Sequence, residues 1–551
     1  MKFVKRTDCK SVEELFLNNM GVMDLDGINA WFKRYIVDGY DIKGIDEIVS
    51  MISSSDRNTP VIISGDYDVD GVTASSIMNL TLSWLGFTDV KIFIPNRFKD
   101  GFGINEKIFE LSDHGIIFTV DNGIAQGKVI EEAKMRGYTV ILTDHHEPDF
   151  DQDGQPIIPA ADVVIDPNAI PDSVDFTGYC GAGLAFKIAR RLIKDDPGKR
   201  QILLSLACLG TICDVVPLRE ENYVIVRYGL KCLMQRNTTT SGVFALVQTF
   251  NLADTISAHD CGFLIGPAIN AVSRMLGDAT MAVDLLKFDG PFEEARKMAT
   301  KLIDLNEKRK TDTKTAYNDL KNIIETEKLY EQVPIIAYIP KVSEGLTGIL
   351  AGRICDEYKV PAIILSDTEE PDVIKGSARS LDGYHIKNHL DLVAPLLLNY
   401  GGHENAAGLS MKRSDESGFR DALTSLNDFI RVSSQDVTEY DLELTPDMIS
   451  GALDDMDRFE PYGEGNEAPV VKISGFKPTP DRYGKYLQRC GADLSTVRIE
   501  SKYATAIGFR MSDSFTDVDE KSVLNLYGSL SWNCFNGKKK AQIEFTGIEI
   551  S

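Results

Sequence analysis

The sequence of 551 residues lacks paired cysteines, long apolar runs and internal repeats. Its nine cysteines are scattered, odd in number and without a Cys-x-x-Cys pair. That pattern excludes a disulfide framework and a structural zinc site, and it predicts a reducing, cytoplasmic location. No segment is apolar for long enough to cross a bilayer, and residues 1–10 are too charged for a secretory signal. We therefore expect no contact with membranes.

Positive charge is also scarce. The sequence has 59 Lys and Arg residues and 83 Asp and Glu residues, which gives a formal net charge of −24. A broad basic surface, of the kind that binds phosphate backbones, is not expected on this protein. Global charge does not exclude a local basic channel, because an acidic surplus elsewhere would only limit non-specific binding.

What the sequence does contain is five acidic or histidine clusters, each at the end of a short apolar run. They are 65–71 (GDYDVDG), 120–123 (VDNG), 143–147 (TDHHE), 164–168 (VIDPN) and 213–217 (CDVVP). Carboxylates repel one another and lose hydration when they are packed together, so cations must neutralise them if they are to stay ionised. The clusters therefore predict a bound metal centre.

The apolar runs and the segments between them predict the fold that carries these clusters. Predicted strands lie at 61–63, 92–94, 116–118, 140–142 and 163–165. Residues 71–85 and 127–136 have the spacing of amphipathic helices and are followed by Gly86 and Gly137. Alternating strands and helices indicate an α/β domain with a doubly wound parallel sheet. Ligands bind at the carboxyl ends of such strands, which is where Asp166 and the other clusters fall.

The types of side chain indicate the metal and the reaction. Aspartate oxygens with imidazole and no nearby cysteine pair favour Mn²⁺ or Mg²⁺ over structural zinc. Two cations roughly 3.5–4 Å apart can share a water, lower its pKa and stabilise an in-line displacement at phosphorus. Hydrolysis of a phosphoester or phosphoanhydride is the first interpretation.

Each motif alone has a simpler interpretation. An Asp-x-Asp-x-Asp-Gly run could be a calcium loop, although no bidentate Glu ends it here. Residues 121–123 could be an ordinary turn. Asp214 could simply terminate a helix over 202–212, although a carboxylate at that end requires a compensating charge.

Together the motifs resemble the DHH phosphoesterase superfamily, named for the tripeptide at 144–146, and within it the RecJ family of single-strand-specific 5′ to 3′ DNA exonucleases. The resemblance covers nearly everything after about residue 55. Its motifs stand at 66–71, 95–103, 121–123, 144–146, 210–218, 266–274, 375–380, 401–408 and 461–466.

The resemblance implies a role for each site residue. The implied ligands of two Mn²⁺ or Mg²⁺ ions are Asp66, Asp68, Asp70, Asp121, His145 and Asp214, with Asp121 as the bridge. His146 would contact the scissile phosphate, Asp144 would orient a histidine, and Arg274 would meet a phosphate oxygen. The residues implied to hold the end of the strand are Arg97, Ser377, Arg379, Gly401, Gly402 and His403.

Two positions depart from the family pattern. Ala268 stands where an arginine is usual, and Ser343 stands where a histidine is usual. At these two positions the basic side chains usual in the family are missing, so any such contact is supplied elsewhere.

The rest of the chain predicts further domains. We expect an N-terminal segment plus the DHH domain over 1–290, a long connecting helix over 291–329, a smaller α/β DHH-associated domain over 330–436 and an OB-like β-barrel over 437–551. In the barrel, candidates for stacking and phosphate contact are Tyr483, Tyr486, Trp532, Phe535 and residues 538–540.

The sequence thus predicts a metal-dependent exonuclease that degrades single-stranded DNA from the 5′ end in repair or recombination. A monomer is expected, with a single-strand-binding protein or a helicase as candidate partner. Two alternatives stay open. The first is a DHH enzyme for small substrates, either a phosphodiesterase acting on short oligoribonucleotides or cyclic dinucleotides or an inorganic pyrophosphatase. The second is a catalytically inactive nucleic-acid-binding scaffold. Relatives that act on small substrates generally lack a C-terminal barrel.

Overall fold

The computed structural model describes residues 2–37, 41–193, 196–426, 437–481, 483–491, 494–512, 515, 518–535 and 538–550. The chain forms two compact units. One contains Met1–Asp41, Val215–Arg227 and Ser433–Ser551, and the other contains Ile42–Asp214 and Tyr228–Val432. The N-terminal residues therefore belong to the same unit as the C-terminal region. The domain boundaries given above stay a prediction.

The helices of the described residues have the following bounds: α1 Val12–Met20, α2 Leu25–Val37, α3 Ile45–Ser54, α4 Val69–Trp84, α5 Gly127–Met135, α6 Gly181–Leu192, α7 Pro197–Cys213, α8 Glu220–Leu233, α9 Ser241–Thr249, α10 Ala258–Asp260, α11 Gly266–Leu276, α12 Thr280–Lys287, α13 Phe292–Thr326, α14 Glu344–Tyr358, α15 Ile386–Leu392, α16 Glu416–Leu426 and α17 Ile449–Phe459.

The strands have these bounds: β1 Lys2–Lys5, β2 Val61–Ser64, β3 Val90–Phe93, β4 Ile116–Val120, β5 Thr139–Thr143, β6 Val163–Ile165, β7 Ile335–Tyr338, β8 Ala362–Asp367, β9 Val373–Arg379, β10 Asn399–Gly402, β11 Ala406–Lys412, β12 Val437–Tyr440, β13 Leu442–Leu444, β14 Val470–Phe476, β15 Gln488–Cys490, β16 Thr496–Glu500, β17 Thr505–Gly508, β18 Leu524–Phe535 and β19 Lys538–Ile550.

The first sheet has the order β3-β2-β4-β5-β6, and all of its strands are parallel. Every residue of β2 and β4 is buried, as expected for strands covered on both faces. The predicted doubly wound sheet is confirmed. The strand order reverses between β2 and β4, and ligands bind at such a switch point.

The second sheet has the order β10-β11-β9-β8-β7. Only β7 and β8 are parallel, while β8, β9, β11 and β10 follow one another in antiparallel pairs. The 35-residue helix α13 precedes this sheet and buries Leu302, Ala316 and Leu320 along its length. The predicted second α/β domain is present.

The C-terminal region forms a seven-stranded, mostly antiparallel sheet with the order β13-β14-β18-β19-β17-β16-β15. Its core also takes in Phe16 of α1, which stacks on Phe459 of α17 with ring centroids 4.4 Å apart. The guanidinium of Arg6 makes two hydrogen bonds to Asp441. These contacts explain why the first residues belong to this unit.

The aromatic candidates of this sheet differ in exposure. Tyr483 is 72% exposed, whereas Tyr486 and Trp532 are partly buried against the core. The Lys539 ammonium lies 4.3 Å from the Trp532 ring centroid. The side chains of Phe535 and Lys538 lie outside the described residues.

Every helix in the described ranges is too short or too polar to span a membrane. None of the eight cysteines whose side chains are described forms a disulfide.

Candidate metal centre

Four of the five acidic clusters lie wholly in one compact unit and follow strands of the first sheet, and Asp214 of the fifth cluster belongs to the same unit. Asp66 follows β2, Asp121 follows β4, Asp144 follows β5 and Asp166 follows β6. Because parallel strands end at the same edge, these side chains gather at the switch point of the sheet.

The turn after β2 leads directly into helix α4. Asp68 is the N-cap residue, and its Oδ1 accepts hydrogen bonds from the N–H groups of Asp70 and Gly71 at 2.9 and 3.1 Å. Such a cap stabilises the first N–H groups of a helix, which have no hydrogen-bond acceptor within the helix. Asp66 is 3% exposed, and its buried Oδ1 accepts no hydrogen bond.

Asp70 is held by the N-terminus of another helix. Its two carboxylate oxygens accept hydrogen bonds from Gly181 N–H at 2.6 Å and Ala182 N–H at 2.9 Å, at the first residues of α6. The partial positive charge of a helix N-terminus favours a carboxylate at this place.

Asp121 has a backbone φ of 64°, in the left-handed region that non-glycine residues seldom occupy. Its Oδ1 lies 3.0 Å from His145 Nε2. Backbone strain of this kind is common at functional sites, where it holds a side chain in one orientation.

The Asp-His-His segment is organised by its aspartate. Asp144 is buried and accepts hydrogen bonds from the N–H groups of Ile124 and His145 at 3.0 and 2.8 Å. His146 Nδ1 donates to Asp144 Oδ1 at 2.8 Å. Asp144 therefore orients His146 and the turn that presents His145.

Asp214 is the C-cap residue of α7, so that the helix ends at the predicted ligand. Its Oδ2 lies 3.7 Å from His145 Nε2, and Asp70 Oδ2 lies 3.6 Å from the same nitrogen. All the predicted metal-ligating side chains thus approach one another.

Potential ligand atoms within 4.8 Å of one another form three overlapping groups. These groups are Asp66, Asp68 and Asp121; Asp70, His145 and Asp214; and Asp121, His145 and His146. Asp121 belongs to two of them. This geometry offers two neighbouring cation positions around Asp121.

The carboxylates of this cluster repel one another. Burial, with the charge of Asp68, raises the pKa of Asp66 well above its ordinary value. Burial, with the charge of Asp70, also raises the pKa of Asp121 well above its ordinary value. The same two causes raise the pKa of Asp214 to about 9. Without a cation, the cluster would hold protons at neutral pH.

The two histidines have opposite electrostatic environments. Burial lowers the pKa of His145. Burial also acts to lower the pKa of His146, but the hydrogen bond to Asp144 and the neighbouring carboxylates raise it to about 9. His145 is therefore suited to be a neutral ligand and His146 to be a cation.

Two arginines, Arg97 and Arg274, lie near the carboxylates of Asp66 and Asp68. Burial, followed by the charges of Arg97, Arg309 and Arg379, lowers the pKa of Arg274 to about 10. The guanidinium of Arg97 lies 4.6 Å from the centroid of the Tyr67 ring, between Asp66 and Asp68 in the sequence. The structure therefore brings Arg97 and Arg274 to the carboxylate cluster, and Arg379 lies near enough to act on the charge of Arg274.

The remaining predicted substrate residues lie on the second sheet. Ser377 and Arg379 are on β9, and Ser377 Oγ lies 2.9 Å from Thr347 Oγ1. Gly401 and Gly402 are exposed residues of β10, and the N–H of His403 donates to Ala406 O at 2.8 Å. Ala406 pairs with Arg379, so this hairpin lies next to the arginine.

The two departures from the family pattern have structural settings. Ala268 is fully buried in α11. Ser343 is at the N-cap position of α14, and its Oγ donates to Arg274 O at 3.4 Å. Ser343 therefore contacts the backbone of a predicted site residue.

Sequence reasoning missed Gly181 and the packing role of Gly210, which begins the motif at 210–218. A Cβ atom at Gly181 would lie 2.4 Å from Cβ of Asp121, and one at Gly210 would lie 2.6 Å from Asp70 Oδ1. Both positions allow helices α6 and α7 to approach the ligands closely. The short segment GYCGAG at 178–183 was the only sequence signal for Gly181.

Comparison with known families matches three segments of the chain. The DHH family, N-terminal domain, matches residues 60–211, the DHHA1 domain matches 332–432, and the RecJ OB domain matches 440–547. These matches confirm the predicted domain types.

Curated proteins that resemble the chain include single-stranded-DNA-specific exonucleases RecJ. The chain is 31% identical to that of Bacillus subtilis over 527 residues, which are 93% of this chain and 64% of that protein. It is 32% identical to that of Escherichia coli over 436 residues, which are 75% of this chain and 72% of that protein. The chain thus spans just under two thirds of the length of the Bacillus relative.

Solved structures are similar as well. RecJ from Thermus thermophilus in complex with Mn²⁺ has a TM-score of 0.76 and 26% identity, covering 92% of this chain and 72% of that one. The same protein was also solved with Mg²⁺. An exonuclease RecJ bound to manganese is 30% identical with a TM-score of 0.61, covering 71% of this chain and 96% of that one.

Proposed function

The chain belongs to the RecJ family, and we propose that it is a metal-dependent exonuclease that degrades single-stranded DNA from the 5′ end and releases 5′-mononucleotides. One observation carries this proposal: the ligand groups around Asp121 lie beside Arg97 and Arg274 in one compact unit. A cation centre next to half-buried arginines suits a phosphodiester that is bound and hydrolysed.

The residues at the switch point fit two Mn²⁺ or Mg²⁺ ions. The donors are carboxylate oxygens with one imidazole, and a buried oxygen of Asp66 accepts no hydrogen bond. The proposed ligands are Asp66, Asp68, Asp70, Asp121, His145 and Asp214, with Asp121 shared. When bound, two such ions supply an activated water and stabilise the charge that develops at phosphorus.

His146, Asp144 and Arg274 complete the proposed catalytic set. A protonated His146, oriented by Asp144, would donate a hydrogen bond to the scissile phosphate. Arg274 would contact a second phosphate oxygen. Both cations are half-buried, which strengthens their interaction with a phosphate relative to full exposure in water.

The end of the strand would be held by residues of both sheets. The proposed set is Arg97, Ser377, Arg379, Gly401, Gly402 and His403. An arginine fork binds a phosphate with two hydrogen bonds, and exposed glycines allow backbone N–H groups to approach it. The opposing β11 residues Ala406 and Gly408 are small, which leaves room above this face of the sheet.

The C-terminal unit favours the exonuclease over the alternatives. Residues 440–547 match the RecJ OB domain. A domain of this kind offers a surface for binding a nucleic-acid strand, which a phosphodiesterase of cyclic dinucleotides does not require. An inactive scaffold would have no need for the strained Asp121 or for six converging ligands.

The cellular setting is also part of the proposal. We expect a cytoplasmic monomer that acts in DNA repair or recombination, together with a single-strand-binding protein or a helicase. The eight cysteines with described side chains form no disulfide, which fits a reducing compartment.

Incubation with 5′- or 3′-labelled DNA and RNA strands, in Mn²⁺ or Mg²⁺, tests the proposed function. We expect early release of a labelled mononucleotide only from 5′-labelled single-stranded DNA, and no release in EDTA. Preferential cleavage of short oligoribonucleotides or cyclic dinucleotides would contradict the proposal, as would a lack of hydrolysis with either metal.

A further inference from the structure

One face of β9 carries more than the two predicted substrate residues. Alternate residues of a strand point to the same side, and in β9 the buried residues Ile374, Gly376 and Ala378 alternate with a half-buried set. Lys375, Ser377 and Arg379 belong to that half-buried set. Lys375 therefore shares a face with the proposed strand-end pocket.

The first turns of α14 cover this face residue by residue. Lys375 Nζ lies 3.1 Å from Glu344 Oε2, and Ser377 Oγ lies 2.9 Å from Thr347 Oγ1. A Cβ atom at Gly348 would lie 3.4 Å from Arg379 Nη2. The three side chains are thus held in one row against the helix.

Lys375 also contacts the loop that carries Arg97. Its Nζ donates to the carbonyl oxygen of Phe98 at 2.6 Å. The loop is fixed locally, because Phe98 N–H donates to Asn96 Oδ1 at 3.0 Å and Arg97 N–H donates to Gly277 O at 2.8 Å. Lys375 therefore links the second sheet to a rigid loop next to the first.

From this loop a short chain of contacts leads to the metal centre. The Arg97 guanidinium lies over the Tyr67 ring, and Tyr67 stands between the proposed ligands Asp66 and Asp68. The contact between Lys375 and Phe98 is therefore one of the links that set the distance from Arg379 to the proposed metal ligands, beside the contact of Ser343 with Arg274 O.

We propose that Lys375 is a positioning residue that fixes the distance between the strand-end pocket and the metal centre, and thereby sets the product length at one nucleotide. This inference rests on the proposed function, because it concerns where a bound strand is cut. A terminal phosphate held by both Arg97 and Arg379 places a single phosphodiester at the ligands. Without the contact between Lys375 and Phe98, the two halves of the pocket would shift relative to each other, and the strand could also bind one nucleotide further along.

The test measures product length with 5′-phosphorylated and 5′-hydroxyl single-stranded DNA. For Lys375→Met we expect a mixture of mono- and dinucleotides. The preference in kcat/KM for the 5′-phosphate should fall by about tenfold, as expected when a charge-assisted hydrogen bond is lost. Lys375→Arg, which keeps the charge and the donors, should restore mononucleotides. A residue that only stabilised the fold would lower the rate without changing the product.

Matched variants make the test decisive. Lys321 pairs with Glu357 between α13 and α14 at similar exposure, so Lys321→Met should leave product length and end preference unchanged. Glu344→Gln removes only the ion pair and should shift the products in the same direction by less. Pure mononucleotides and an unchanged end preference from both folded Lys375→Met and Glu344→Gln would overturn the inference. Failure of the unmodified protein to release nucleotides would instead refute the proposed function.

Discussion

The N–H of Gly181 donates a hydrogen bond to Asp70 Oδ2 at 2.6 Å, and the same glycine leaves no room for a side chain beside Asp121. One residue at the start of α6 thus positions two proposed ligands, one by a hydrogen bond and one by close packing. Groups that support metal ligands in this way affect metal affinity strongly.

Gly181→Ala should therefore displace Asp121 and raise the Mn²⁺ concentration for half-maximal activity by about 10- to 100-fold. Calorimetric titration of Mn²⁺ should show the same loss of affinity, while KM for the strand at saturating metal stays close to normal. Gly127→Ala is the matched control, because Gly127 begins α5 and a Cβ atom added there would meet open space. Unchanged metal affinity in folded Gly181→Ala would refute this role.

Asp121→Asn should abolish hydrolysis and stabilise the metal-free protein. The substitution removes the shared ligand, but it also removes a buried carboxyl group that, without metal, must take up a proton when the chain folds at neutral pH. Thermal unfolding in EDTA should show a higher Tm than that of the unmodified chain. A folded Asp121→Asn protein with near-normal turnover would contradict the site assignment.

The stabilisation by metal should increase with pH. Asp214 has a folded pKa of about 9, above its ordinary 3.8, so its contribution to stability is complete below 3.8 and is lost as the pH rises through about 9. Asp66 and Asp121 shift in the same direction. Divalent ions replace the protons that the cluster loses.

The increase in Tm on adding Mn²⁺ should consequently be larger near about pH 8.5 than near about pH 6.5. Differential scanning calorimetry at both pH values, with and without Mn²⁺, measures it. An increase that is equal at both pH values, or larger at the lower one, would show that these carboxylates do not bind the ion.

Arg97→Ala and Arg379→Ala should each weaken binding of a 5′-phosphorylated strand by on the order of 1.5–3 kcal/mol. Mn²⁺ affinity should be unchanged, because neither arginine is a proposed ligand. Fluorescence anisotropy with catalytically inactive Asp121→Asn as the background separates binding from cleavage. If both variants preferred the 5′-phosphate strand over the 5′-hydroxyl strand as strongly as the parent does, these arginines would be excluded from the pocket.

The convergence of these carboxylates could be predicted from the sequence because their positions follow local rules. Each cluster ends an apolar run, and parallel strands bring their carboxyl ends to one edge of the sheet. Asp66, Asp121 and Asp144 needed no knowledge of side-chain packing.

Other features depend on packing between distant segments. The close approach of Gly181 to Asp121 requires the position of α6, and the Lys375 contact requires the antiparallel register of β9. The stacking of Phe16 on Phe459 joins residues that are far apart in the sequence. Neither periodicity nor motif spacing contains such information, so the sequence alone did not indicate that the first residues join the C-terminal unit.

The most direct test of the proposed function is the direction of degradation on strands blocked at one end. Single-stranded DNA would carry several phosphorothioate linkages at its 5′ or its 3′ end, and mononucleotide release in Mn²⁺ would be followed over time. We predict that the 5′ block stops release and that the 3′ block leaves the initial rate unchanged. Release that is stopped by the 3′ block, or by neither, would contradict degradation from the 5′ end.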